Sequence, residues 1–203
     1  LDAETRYIPK KVVPSLNGSF SEKVAIIGAG PAGLSCAFYL AEKGYSPVIF
    51  EKNEKPGGML RYGIPSFKLE KDVIDAEIDI IKAMGVEIKC GIEVGKDVTL
   101  DELRAQGYKA FYIAIGCQGG RKAGIPGEDA EGVMTAVDFL RTVGADESYP
   151  VTGKAVVVGG GNVAIDAARI SSRCTDAKIS MFCLEQRTGM PASEEEIREA
   201  LEE

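Results

Sequence analysis

Apolar and polar residues follow two rhythms along the chain, and the changes of rhythm mark its elements. The run KVAIIG, from Lys23, is short, apolar and rich in branched residues; PAGLSCAFYLAEKG then repeats apolar residues at helical spacing up to Gly44; PVIFE is a second short apolar run. Together they predict a β-α-β unit. After a Gly- and Pro-rich loop through Pro65, LEKDVIDAEIDIIKAMG sets Val73, Ile74, Ile78, Ile81 and Met84 at helical intervals and stops at Gly85. That spacing predicts a long helix with one buried stripe. Residues 86–89 alternate as a strand does, TLDELRAQG predicts a short helix opened by a capping box of Thr99 and Glu102, and KAFYIAIG predicts another buried strand.

A helix around residues 137–143 precedes GADESYPVTG, whose turn residues place a domain boundary near Tyr149. The opening pattern then returns: KAVVVGGGNVAIDAARISS and KISMFCLE read as strand, glycine turn, helix and strand, and SEEEIREALEE begins a helix capped by Ser193 and Glu196. The first twenty residues hold two prolines and no lasting period, so 1–20 reads as an arm or linker, followed by domains over 21–149 and 150–203. The expected fold class is α/β: a doubly wound, Rossmann-like domain on a parallel sheet, then the first part of a second Rossmann-like domain.

Composition narrows the chemistry. The chain of 203 residues has no histidine, which removes Ser-His-Asp and Cys-His catalysis, imidazole metal sites and the commonest general base together. Its net charge of -7, from 24 basic against 31 acidic residues, repels phosphate backbones and anionic lipid, so neither nucleic acid nor a membrane is an expected partner. No apolar run approaches the roughly 20 residues of a membrane span, and no basic-then-apolar leader is visible. The five cysteines, Cys36, Cys90, Cys117, Cys174 and Cys183, are odd in number and form no CxxC, which fits reduced thiols and a cytoplasmic location. No side chain is nominated as a catalytic acid, base or nucleophile, and no metal site is expected.

Glycine, at 24 residues, is about 12% of the chain against a usage near 7%, and two clusters of it carry the chemistry. Gly28, Gly30 and Gly33 form GxGxxG between a strand and a helix, with Glu51 closing the next strand. A diphosphate approaches main-chain N–H groups at the positive end of a helix where no Cβ holds it off, and a carboxylate at the following strand end accepts both hydroxyls of an adenosine ribose. The bland alternative is a glycine turn used only for tight packing. Gly159, Gly160, Gly161, Asn162, Val163 and Ala164 give a second copy, GxGxxA, with Glu185 ending the next strand; its alternative is a turn without ligand. Two dinucleotide sites point to a flavin nucleotide and a nicotinamide nucleotide exchanging a hydride, chemistry for which an absent histidine is no handicap.

The runs IIGAGPAGLSCAFYLAEKGYSPVIFEKNEKPGGMLRYGIPSFKLEKDVID, AIGCQGGRKAGIPGED and VVVGGGNVAIDAAR resemble the flavin-dependent NAD(P)H oxidoreductases typified by the small (beta) subunit of bacterial glutamate synthase, with more distant similarity to the adrenodoxin reductase group. The resemblance implies that Gly28, Gly30, Pro31, Ala32, Gly33, Glu51 and Lys52 hold the adenylate and pyrophosphate of FAD, that Gly58, Met59, Leu60 and Arg61 pass close to the flavin, and that Gly116 closes a turn against it. Gly159, Gly161, Asn162, Val163, Ala164 and Glu185 would carry the nicotinamide nucleotide. Each has a plainer alternative: Arg61 a solvated loop charge, Met59 and Leu60 simple core, Gly116 a strand-end turn, Cys117 a small apolar filler.

Two departures from the family pattern matter. Members that use NADPH place paired arginines after the strand, ahead of MPA; this chain has Leu184 and Glu185 there, before Met190, Pro191 and Ala192. A carboxylate repels a 2'-phosphate and accepts from a free 2'-hydroxyl, so NADH is expected over NADPH, with Arg187 the residue that argues the other way. The family also carries an upstream cysteine-rich domain with iron-sulfur clusters, a longer nicotinamide domain and a returning segment that completes the FAD pocket. By that measure the chain is expected to be a fragment, inactive or nearly so in isolation, weakened in flavin affinity and prone to self-association through exposed sheet. The expected partner is an electron-accepting subunit, an amidotransferase or a ferredoxin-like protein. The alternative from another class is a non-catalytic dinucleotide-binding or sensing module; a thioredoxin-reductase-like function is disfavoured by the missing CxxC.

Overall fold

The computed structural model describes residues 13–145, 149–174 and 178–203. Two compact units emerge among them: one runs through Arg61 and again over Ser66–Cys117, the other comprises Tyr62–Pro65 and Gln118–Glu203.

The first unit is a parallel sheet of four strands, β1 (Lys23–Ile27), β2 (Ser46–Glu51), β3 (Glu87–Cys90) and β4 (Tyr108–Ile113), in the order β3-β2-β1-β4. Residues of β1 and β2 alternate between its faces, as the period of two requires. Ile26 and Ile49 meet Leu34 and Ala37 of α1 (Pro31–Glu42) and Ile74 and Ile78 of α3 (Lys71–Ala83) on one side; Ala25, Ile27, Val48 and Phe50 meet Leu103 of α4 (Leu100–Ala105) on the other. Helices on both faces explain why these strands read as unbroken apolar runs. The capping box of α4 forms as the sequence predicts: Thr99 Oγ1 accepts from the Glu102 N–H at 3.2 Å, and Glu102 accepts from the Thr99 N–H at 2.8 Å.

Strand order fixes the site. From β1 the chain winds outward through β2 and β3, then returns to place β4 on the opposite side of β1. The winding reverses between β1 and β4, and ligands of such sheets lie at the carboxyl ends of strands at that reversal. Position also explains one departure: β4 reads as a buried strand but among the described residues pairs only with β1, leaving Tyr112 42% and Ile113 56% exposed. The arm is described from Val13 onward, and its later part is not a free linker. Asn17 and Phe20 donate to the Glu42 and Gly44 carbonyls, and Phe20 stacks on Tyr45.

The second unit pairs β5 (Ala155–Val158) with β6 (Ile179–Phe182) in parallel, joined by α6 (Asn162–Cys174). Helix α5 (Ala136–Ala145) packs Phe139, Leu140 and Val143 against Ala167 of α6, and α7 (Glu194–Glu202) packs Ile197 against Ile165. Helix α5 belongs to this compact unit, which resumes at Gln118, because the apolar stripe of α5 finds its cover on α6. Residues 146–148, within the boundary predicted near Tyr149, lie outside the described residues. The loop over PGGMLRYG also contains an unpredicted single turn, α2 (Met59–Tyr62). Among the described residues no helix is long and apolar enough to cross a membrane.

Candidate functional site

The first glycine turn leaves β1 at its carboxyl end and enters α1. Gly28 has φ +107°, and a Cβ there would stand 2.4 Å from the Ala114 carbonyl oxygen; a Cβ on Gly33 would stand 1.9 Å from the Gly28 carbonyl oxygen. Glycine is therefore enforced by the approach of β4 to the turn and by the seating of α1 on β1. Helix α1 starts on Gly30 without a side-chain cap, Pro31 needs no donor at the first position, and no acid lies in the first turn. Pro31 and Ala32, at its start, are exposed, which leaves this helix end open to an anion.

Glu51, at the end of β2, is 4% exposed and turned toward this turn. Its Oε2 accepts from the Ala29 N–H at 2.7 Å, and its Oε1 accepts from the Asn53 N–H at 2.9 Å and from Asn53 Nδ2 at 2.6 Å. A carboxylate oxygen offers about two acceptor positions, so Oε1 is filled and Oε2 retains one. Glu51 in this arrangement can therefore take one further donor, not two. Lys52, next along, is exposed.

The 56–61 loop lies on the turn. Gly57 donates to the Ala29 carbonyl at 2.8 Å, and a Cβ on Gly58 would stand 2.7 Å from Gly30 Cα. Met59 and Leu60 are half-buried, while Arg61 is 7% exposed and bonded to the Pro56 carbonyl and to Asp75. Arg61 is thus not a solvated charge. Gly116, beyond β4, has φ +67° with nothing within 4 Å of a would-be Cβ, and Cys117 beside it is exposed. Gly28, Gly30, Gly33, Glu51 and Gly58 are brought together around one turn; Gly116 leaves the strand that flanks Gly28.

The second turn repeats the construction in its own unit. Gly159 has φ +136° and donates to the Phe182 carbonyl at 2.8 Å, as Gly28 donates to the Phe50 carbonyl at 2.8 Å. Gly161 is open, with nothing within 4 Å of a would-be Cβ, and Asn162 and Val163 are exposed at the start of α6, whose first turn holds no acid. Ala164, at the third motif position, is buried. Glu185 is exposed, with its Oε2 3.3 Å from where a Cβ on Gly160 would stand. Arg187 lies 3.9 Å from Glu194, which offsets part of its charge. Among the described residues no three of His, Cys, Asp and Glu gather as a metal site would need.

A sequence profile of the family described as pyridine nucleotide-disulphide oxidoreductase matches residues 22–203. The chain belongs to that family. Among curated proteins it is 46% identical over 182 residues to the NADP(+)-dependent formate dehydrogenase subunit beta of Moorella thermoacetica, covering 88% of this chain and 26% of that one. It is 38% identical over 216 residues to the glutamate synthase [NADPH] small chain of Escherichia coli, covering 98% and 46% respectively. The chain thus spans between a quarter and a half of the length of these relatives. Among solved structures it is similar in fold to Mycobacterium tuberculosis FprA in complex with NADPH, with a TM-score of 0.75 and 24% identity over 89% of this chain and 47% of that one.

Several residues of this family member's two turns escape a reading of the sequence. Asn53 fills Glu51 Oε1, Asp75 pairs with Arg61, the Ala192 N–H donates to the Gly160 carbonyl at 2.9 Å, and the Ser193 N–H donates to Asn162 Oδ1 at 2.9 Å. Only Asn53 had a local signal, an amide two residues after the strand-end acid, a spacing that favours side-chain bonds to nearby backbone.

Proposed function

We propose that this chain carries the FAD-binding and the nicotinamide-nucleotide-binding β-α-β units of an NAD(P)H-dependent flavoprotein oxidoreductase that passes electrons to a partner subunit. The observation that carries the reading is the duplicated turn: a glycine of positive φ bonded to the neighbouring strand, an uncapped or open helix start, and an acid at the end of the next strand (Glu51) or three residues past it (Glu185). Gly30, Ala32 and Gly33 present main-chain N–H groups to the FAD diphosphate on a turn shaped by Gly28 and Pro31, with Glu51 and Lys52 toward its adenylate. Gly58, Met59, Leu60, Arg61 and Gly116 border the flavin. Gly159, Gly161, Asn162, Val163 and Ala164 do the corresponding work for the nicotinamide nucleotide. A bound flavin takes a hydride equivalent from reduced nicotinamide and releases electrons to an acceptor, which asks of the protein only binding, orientation and exclusion of water.

The names of the two curated relatives attach to subunits, and by that analogy an electron-accepting partner subunit, such as an amidotransferase or a ferredoxin-like protein, receives the electrons. The same names specify NADP(+) and NADPH, yet the second site here holds an exposed carboxylate, Glu185, beside fully exposed Leu184. Glu185 accepts from a 2'-hydroxyl and repels a 2'-phosphate, so NADH is the favoured donor. The test is anaerobic reduction of the FAD-loaded intact enzyme, followed by loss of visible flavin absorbance. NADH is expected to act at the lower concentration. A strong NADPH advantage overturns the donor preference, and failure to bind supplied FAD overturns the enzyme reading.

A further inference from the structure

Arg61 is a cation withdrawn from water at the end of the loop that lies on the first glycine turn. Its side chain is 7% exposed, its Nε donates to the Pro56 carbonyl at 2.7 Å, and its guanidinium pairs with Asp75 on α3. A buried guanidinium needs a counter-charge, and Asp75 is its carboxylate partner among the described residues. Asp75 itself is 54% exposed, and α3 is seated through Ile74 and Ile78, so the helix does not need this carboxylate to pack. The loop needs it. Gly57, at φ +126°, would place a Cβ 3.1 Å from Arg61 Cβ and 3.2 Å from Ile74, while its N–H reaches the Ala29 carbonyl and Gly58 presses on Gly30. The ion pair, the Pro56 bond and these glycines form one chain of contacts from α3 to the turn.

We infer that Asp75 is a positioning residue for the FAD site: acting through Arg61, it fixes how closely residues 56–61 approach Gly30. The inference rests on the proposal that FAD occupies the first turn. It also gives Arg61 a different part from direct contact with the flavin, since its Nε and one terminal nitrogen are already bonded to protein.

The experiment compares Asp75→Asn, Asp75→Glu and Asp79→Asn with the wild type in the full chain, by FAD titration, by visible circular dichroism of bound FAD and by thermal melting of the apo protein. Among the described residues Asp79 pairs with Lys82, one turn along the same helix, and it serves as the control. Removing a charge partner of a buried guanidinium is expected to weaken FAD binding about fivefold and to change the dichroism of the flavin. Apo melting falls by a few degrees at most, because the unpaired guanidinium sheds its cost by a local rearrangement of residues 56–61 toward water. Asp75→Glu recovers most of the affinity, and Asp79→Asn matches wild type. Wild-type affinity and dichroism in Asp75→Asn overturn the inference, and so does an affinity loss matched by an equal loss in Asp79→Asn. Failure of the wild type to bind FAD is a separate result, which removes the proposed function itself.

Discussion

Gly28 and Gly159 make the same bond, each donating to a phenylalanine carbonyl on the neighbouring strand at 2.8 Å, yet the turns they open differ in what surrounds them. In the first unit the third motif residue is Gly33, and α1 comes so close to the strand that a Cβ would stand 1.9 Å from a carbonyl oxygen. In the second unit that position is Ala164, whose methyl group lies an ordinary 3.4 Å from where a Cβ on Gly159 would be. The acids differ as well: Glu51 is buried and bonded to the turn's own Ala29 N–H, whereas Glu185 stands in solvent. Loop 56–61 presses on Gly30, whereas Gly161 is open. The first turn is thus set by its own protein, and the second leaves its selective group to the ligand. Under the proposed function, discrimination between closely related nucleotides is expected to fall to the second.

The exchange of motif residues tests this contrast with the largest expected effect. Gly33→Ala forces α1 away from β1 and is expected to cost about 3 kcal/mol, an overpacking penalty at the upper end of its usual range, and to abolish retention of FAD. The reciprocal Ala164→Gly removes a methyl group without creating a clash and is expected to cost about 1 kcal/mol, chiefly from helix propensity, with nucleotide affinity little changed. Denaturant unfolding and bound-flavin absorbance read both. Equal costs for the two substitutions would break the distinction between a tightly seated and a looser helix.

A smaller effect separates the two acids. Glu51→Ala leaves the buried Ala29 N–H and the Asn53 N–H without an acceptor and is expected to cost about 2 kcal/mol, with weaker FAD binding in consequence. Glu185→Ala removes an exposed carboxylate, which shifts stability by less than about 0.5 kcal/mol. Its effect is expected in the ratio of NADH to NADPH efficiency, which falls because the repulsion of a 2'-phosphate is gone. Melting curves and paired steady-state measurements check both; a large stability loss in Glu185→Ala would place that acid in the same structural class as Glu51.

Much of this was legible before any coordinates, and the illegible part has a common cause. Strands, helices and caps are local: the apolar run of β1, the stripe of Ile74 and Ile78 and the capping box at Thr99 each depend on residues a few positions apart. The glycine turns are local too, so both were found. What failed needed a partner's identity. The stripe of α5 announces that Phe139, Leu140 and Val143 will be covered, but not that α6 covers them and so groups α5 with the second compact unit. The apolar run of β4 does not say that it has a single neighbour. Asp72, Asp75 and Asp79 look alike on the polar face of α3, and only the burial of Arg61 singles out Asp75.

The smallest effect concerns what holds the cover of the second turn, since Ala192 and Ser193, which donate to Gly160 and Asn162, lead straight into α7. That helix is tied to α6 by Arg169, 7% exposed, which bonds Glu199 and Glu203 at 2.7 Å each and lies 3.8 Å from Glu196. The bond to Arg169, helped by Arg173, lowers the Glu203 carboxyl from an ordinary 4.5 to about 2. A carboxyl whose folded value is depressed stabilises the fold fully above its unfolded value and loses that contribution as pH falls from about 4.5 toward 2. Over that window the second unit is expected to lose about 1 kcal/mol, the modest amount proper to a partly exposed pair, and α7 to fray so that amides of residues 190–202 exchange faster. Arg169→Met removes the partner and should flatten this part of the pH dependence. Hydrogen exchange at a series of pH values decides: if Arg169→Met keeps the wild-type slope, the cover of the second turn is held by Ile197 and its apolar neighbours alone, and the charged tie that distinguishes it is without consequence.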